Sequence, residues 1–235
     1  MSRAPHALLW DMDGTIVNSD PLWERAATEL LAEHNATITR ETGLSMVGLS
    51  LWKAAEILQQ HGVALSADEI VERKVRRVLE LYSQTEVSWR PGARETLAAA
   101  KHAGIPNVMV TMALSSIGNA VAQLLPENTF SKVLGADQVT AHKPHPEPYL
   151  RGAALAGADI RDCLIFEDSV TGIASGAASG GVTVGVRNLV DISNCEAHII
   201  VDSLQEYDLE TWFAVFNKYR GTEPVPGGYN QGAKL

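Results

Sequence analysis

Two aspartates one residue apart, Asp11 and Asp13, close an apolar run in Leu8-Leu9-Trp10-Asp11-Met12-Asp13-Gly14-Thr15. A buried strand gains nothing structurally from paired carboxylates at its carboxyl end, because taking such charge out of water is costly. They make sense facing a cation and an electrophile. The plain alternative is an Asp-Gly turn that ends the strand. An EF-hand calcium loop fits worse, because Gly14 comes too early in it and Leu22 stands where the closing glutamate belongs.

Three further apolar runs end in, or lead to, reactive residues. One ends at Thr111, a loop after another carries Lys143 in His142-Lys143-Pro144, and Leu164-Ile165-Phe166 runs into Glu167-Asp168. Each has a bland reading: Thr111 as a strand-end hydroxyl, Lys143 as a solvated loop lysine, Glu167-Asp168 as a helix N-cap. Their convergence is the informative point, because ligands of an open parallel sheet gather outside the carboxyl ends of its strands. His142 and His145, between prolines and without a third ligand, read as loop residues.

The elements that position these residues follow from periodicity. Strands are predicted at 7–11, 107–111, 132–135, 163–167, 182–186 and 198–201, with helices between them, which is the signature of parallel βαβ units. From 18 to 89 the alternation stops and only helical spacing remains. A first helix starts at Asp20-Pro21, a second covers 52–61, and Ser66-Ala67-Asp68-Glu69 is a capping box that opens a third. The expected fold is α/β, a Rossmann-like parallel sheet with an inserted all-helical cap domain. Its parts are 1–17 and 90–220 as the core, 18–89 as the cap, and 221–235 as a flexible, turn-rich tail.

A length of 235 residues is enough for one large or two modest domains with a real core. The net charge of −9 argues against nucleic acid or an anionic membrane as partner, so an anionic substrate needs a locally positive site. No apolar run reaches the ~20 residues of a membrane span. Cys163 and Cys195 form no metal or CxxC pattern, which suits a reducing compartment. The expectation is a soluble cytoplasmic protein, monomeric or weakly dimeric.

In order and rough spacing these motifs resemble the haloacid dehalogenase superfamily, over nearly the whole chain. Asn18-Ser19-Asp20-Pro21-Leu22-Trp23 points within it to the branch of β-phosphoglucomutase and sugar-phosphate phosphatases. The resemblance implies a Mg²⁺-dependent phosphatase of a small phosphorylated metabolite, a sugar or polyol phosphate, that works through an aspartyl-phosphate. Asp11 is the expected nucleophile and Asp13 the general acid and base. Thr111 and Lys143 are expected to hold the phosphoryl group. The implied Mg²⁺ ligands are the Asp11 and Asp168 carboxylates, the backbone carbonyl of Asp13, and Glu167 directly or through water. Met12, Gly14 and Met112 flank these side chains and are expected at the substrate. Trp23, Glu24, Gly48 and Trp52 are the cap residues expected to read it.

The basic run Arg73, Lys74, Arg76 and Arg77 reads either as a solvated helix face or as part of that cap surface. The mutase pattern has a histidine where this chain has Trp23 and an arginine where it has Leu51, which favours hydrolysis. Alternatives are a phosphomutase, or a catalytically idle relative that binds a phosphometabolite. A phosphonate hydrolase would need a cap lysine such as Lys53 or Lys74.

Overall fold

The computed structural model describes residues 3–229. Six strands form one parallel sheet: β1 (Ala7–Trp10), β2 (Asn107–Val110), β3 (Lys132–Leu134), β4 (Cys163–Glu167), β5 (Val182–Val186) and β7 (Ile199–Val201), in the order β3-β2-β1-β4-β5-β7. A further pair, β6 (Glu196–Ala197) and β8 (Val225–Pro226), is antiparallel. The core helices are α5 (Ala93–His102), α6 (Ser115–Gln123), α7 (Glu147–Leu155), α8 (Val170–Ser179) and α9 (Leu209–Tyr219).

Every residue of β1 is buried, because helices cover both faces of the sheet. Ala7 and Leu9 face a cluster with Tyr149 and Ala153 of α7. Leu8 and Trp10 face the opposite cluster, where Trp10 stacks on Phe166 at 4.2 Å and Phe166 meets Trp212 of α9 edge-on at 5.0 Å. β1 lies between β2 and β4, and the order 2-1-4 reverses direction there. The crevice beyond its carboxyl end is therefore the switch point of the sheet.

Between β1 and α5 lie α1 (Asp20–Glu33), α2 (Arg40–Ser45), α3 (Leu51–Gln60) and α4 (Ala67–Gln84). The predicted capping box is present: Ser66 Oγ accepts from the Glu69 amide, and the Glu69 carboxylate accepts from the Ser66 amide at 2.8 Å. α4 turns Ile70, Val71, Lys74, Val75 and Val78 inward, against the buried Ala26, Ala27, Leu30 and Leu31 of α1. The outgoing and returning segments lie side by side, with the Asn18 amide on the Ser88 carbonyl and the Arg90 amide on the Ile16 carbonyl.

Two features differ from expectation. α2 has no buried residue to mark it, and its start rests on Thr39 Oγ1 accepting from the Thr42 amide at 3.1 Å. The tail expected to be flexible from 221 is tied down as far as 229. β8 pairs with β6, the Tyr229 amide reaches the His198 carbonyl at 2.9 Å, and Tyr229 stacks on Tyr219. Residues 230–235 of that tail lie outside the described residues. Among the described residues no helix is long and apolar enough to cross a membrane.

Candidate functional site

Four strand ends meet at the switch point. The Asp11 amide still donates to the Phe166 carbonyl at 3.0 Å, so its side chain leaves the end of β1 beside that of β4. Lys143, buried in the loop before α7, donates from Nζ to Asp11 Oδ1 at 2.8 Å, to Glu167 Oε1 at 2.5 Å and to the Val110 carbonyl at 2.9 Å. One ammonium thus ties the ends of β1, β2 and β4 together.

Asp11, Glu167 and Asp168 each offer an oxygen within 4.8 Å of the others, all three residues buried. Burial raises the pKa of Asp11 well above the usual carboxylate range, partly offset by Lys143 and reinforced by the neighbouring acids. Burial, then Glu167, raises Asp168 as well. Burial works against the charge on Lys143, and Asp11 and Glu167 outweigh it, so this lysine stays protonated. Three carboxylates against one ammonium leave an excess of negative charge that a divalent cation would balance.

The acids are not equivalent. Both Glu167 oxygens are engaged: Oε1 accepts from Lys143 and the Tyr149 hydroxyl at 2.7 Å, and Oε2 from the Asp168 and Ser169 amides and the Ser169 hydroxyl. Asp168 is held by Thr15 Oγ1 at 3.1 Å and Asn188 Nδ2 at 2.9 Å. Asp13 turns toward the helical insertion. Its Oδ1 accepts from the Ser19 hydroxyl at 2.5 Å and the Trp23 indole at 2.8 Å, and its Oδ2 lies 3.4 Å from the Thr111 hydroxyl. Burial raises the pKa of Asp13, and the Ser19 and Trp23 hydrogen bonds oppose the rise.

Gly14 explains why the loop can turn here. Its φ is +83°, and a Cβ would lie 2.0 Å from Asp168 Oδ2. Gly48, with φ of +75°, brings the insertion close to α8: its carbonyl accepts from Thr171 Oγ1 at 2.6 Å.

A cavity of about 480 Å³ runs from this cluster into the helical insertion. Asp11, Asp13, Lys143, Asp168 and Met112 line it from the sheet, and Trp23, Glu24 and Gly48 from the insertion. Five expected site residues do not line it: Gly14 and Glu167, described above, and three others. Met12 is fully buried and its carbonyl accepts from the Ile16 and Val17 amides. Thr111 reaches the site only through Asp13 and the Ala113 amide. Trp52 lies in a separate groove, where its indole donates to Asp68 at 2.8 Å and its ring lies 5.8 Å from that of His142.

The basic run on α4 divides. Arg73 pairs with Glu33 and Arg77 with Glu29, across to α1, whereas Lys74 is buried and lines the cavity. Sequence reasoning missed Ser19, Tyr149 and Asn188. Asn188 was findable, because it follows β5 as a polar residue just past a fifth strand end. Tyr149 carried no signal, being one aromatic on a mostly apolar helix.

The family described as Haloacid dehalogenase-like hydrolase matches residues 8–186. Hexitol phosphatase B of Escherichia coli (strain K12) is 33% identical over 180 residues, which is 73% of this chain and 79% of that protein. Fructose-1-phosphate phosphatase YqaB of the same organism is 28% identical over 184 residues, 77% of this chain and 96% of the relative. The crystal structure of β-phosphoglucomutase from Clostridium difficile superposes with a TM-score of 0.81 at 22% identity, covering 92% of this chain and 98% of that one. At that identity the structural likeness speaks for the fold.

Proposed function

Because the chain belongs to the haloacid dehalogenase-like hydrolases, we propose that it is a Mg²⁺-dependent phosphatase acting on a small phosphorylated metabolite, a sugar or polyol phosphate. The observation that carries this reading is Lys143 Nζ bridging Asp11 and Glu167 in the wall of a cavity that Asp13 and Asp168 also line. The helical insertion serves as its cap, and the paired segments around Val17 and Trp89 are where it would swing.

Asp11 attacks phosphorus with a carboxylate oxygen while the ester P–O bond breaks. Asp13 gives its proton to the departing alkoxide, and then takes one from the water that hydrolyses the aspartyl-phosphate. Lys143 holds Asp11 in place and supplies positive charge beside the phosphoryl oxygens. The residues fit a divalent cation, which the Asp11 and Asp168 carboxylates and the Asp13 carbonyl would hold. When bound, Mg²⁺ would screen the repulsion between a carboxylate and a phosphate dianion. Glu167, its oxygens already taken, orients Lys143 and the turn into α8 rather than reaching the cation directly.

Hydrolysis is favoured over phosphoryl shuttling because an indole only donates, so Trp23 cannot pass a proton to or from Asp13 as an imidazole could. The test is phosphate release from a panel of sugar and polyol phosphates, with Mg²⁺ and with chelator. Release that the chelator abolishes and Mg²⁺ restores is expected. Metal-independent turnover, an isomerised hexose phosphate in place of free phosphate, or tight binding without turnover would each overturn the reading.

A further inference from the structure

Lys143 and Lys74 are both buried, but only one is matched. Lys143 meets two carboxylates. Lys74 is 7% exposed, and among the described residues no hydrogen bond or ion pair reaches its ammonium. It lies 5.4 Å from the centre of the Trp23 ring, the ring whose indole N–H donates to Asp13. Burial alone pulls its pKa down to about 8, with no acid near enough to oppose it.

The surrounding acids have other engagements. Glu29 and Glu33 are taken by Arg77 and Arg73 on either side. Asp20 lines the cavity but accepts from Asn188, and Glu24 lines it from the solvent side without pairing with Lys74. Lys74 meanwhile fills a position on the inward stripe of α4 where a leucine or valine would stabilise the packing. A largely desolvated cation without a counterion lowers stability, and an anion entering the cavity would offset that cost.

We propose that Lys74 receives a second anionic group, a carboxylate or a further phosphate, carried by the leaving alcohol of the substrate. This rests on the phosphatase reading and narrows it, from phosphorylated sugars at large to sugar-acid phosphates or bisphosphates. The four aspartates that line the same cavity, Asp11, Asp13, Asp20 and Asp168, repel any second anion. Lys74 is the buried cation on the cap side that offsets them, so it decides which substrates enter.

The test compares kcat/KM for 6-phosphogluconate, fructose 1,6-bisphosphate, sorbitol 6-phosphate and p-nitrophenyl phosphate, in the wild-type protein, Lys74→Met and Lys74→Arg. The wild type is expected to favour the gluconate or the bisphosphate over the neutral-tailed sorbitol ester by about tenfold or more, the scale of one buried charge-assisted contact. Whichever of the two leads identifies the anion. Lys74→Met should erase that ratio, chiefly through KM, and Lys74→Arg should keep most of it. Equal wild-type kcat/KM on charged and neutral tails would overturn the assignment. So would a Lys74→Met loss shared equally by all four esters, or borohydride trapping of phosphonoacetaldehyde on Lys74. Absence of phosphate release from every ester, p-nitrophenyl phosphate included, would instead overturn the phosphatase reading together with the inference built on it.

Discussion

The Trp23 indole donates to Asp13 Oδ1 at 2.8 Å, and since an indole cannot accept, that oxygen is fixed as an acceptor. Ser19 donates to the same oxygen. Any proton on Asp13 must therefore sit on Oδ2, the oxygen beside Thr111. A residue expected to read substrate thus also decides where the proposed general acid keeps its proton. The helical insertion and the loop after β1 share one hydrogen-bonded unit.

Trp23→Phe keeps the ring and removes the donor. It is expected to cut kcat roughly tenfold on alkyl phosphates, whose leaving oxygen needs a proton, a fraction of what full loss of an acid catalyst costs. The loss should be much smaller on p-nitrophenyl phosphate, whose leaving group departs as an anion. Equal losses on both substrates would show that Trp23 only shapes the cavity.

Lys143→Met leaves Asp11 and Glu167 facing each other in a buried site without their shared cation. Breaking a buried pair on one side costs about 3–5 kcal/mol, and removing a charge beside the phosphoryl group costs activity roughly a hundredfold or more. Denaturant unfolding and steady-state kinetics check the two effects separately. A variant as stable as wild type would contradict the geometry.

Lys74 makes a prediction on stability alone. Its folded-state pKa, about 8, lies below the roughly 10.4 of an unfolded lysine. Between those values the unfolded chain binds more protons, so this residue's contribution to stability rises with pH, and the penalty is full below the window. Lys74→Met is expected to stabilise the protein by roughly 2–3 kcal/mol at neutral pH. The advantage should shrink as pH climbs through the window. A gain independent of pH would mean that the ammonium is hydrated in the folded protein.

Much of this was legible in the sequence. The central strands show as uninterrupted apolar runs because both faces of a parallel sheet are covered, and their polar ends mark the side where ligands bind. Asp11, Lys143 and Asp168 could be brought together from strand ends alone. Side-chain direction on helices was less accessible. Trp52 and Trp23 look alike in sequence, yet one points to Asp68 outside the cavity and the other to Asp13 within it. Lys74 reads in sequence as one of a basic run, although its spacing from Ile70, Val71, Val75 and Val78 places it on the inward stripe. The two-residue β6–β8 pair is too short to leave any periodic trace.

The central claim is a covalent one, and the direct measurement is rapid acid quench of turnover with a labelled phosphate ester, followed by borohydride reduction and peptide mass spectrometry. The account predicts labelled protein whose phosphate borohydride releases as residue 11 becomes homoserine, and neither label nor homoserine in Asp11→Asn. Normal turnover in Asp11→Asn, or homoserine formed at any other aspartate, would contradict it.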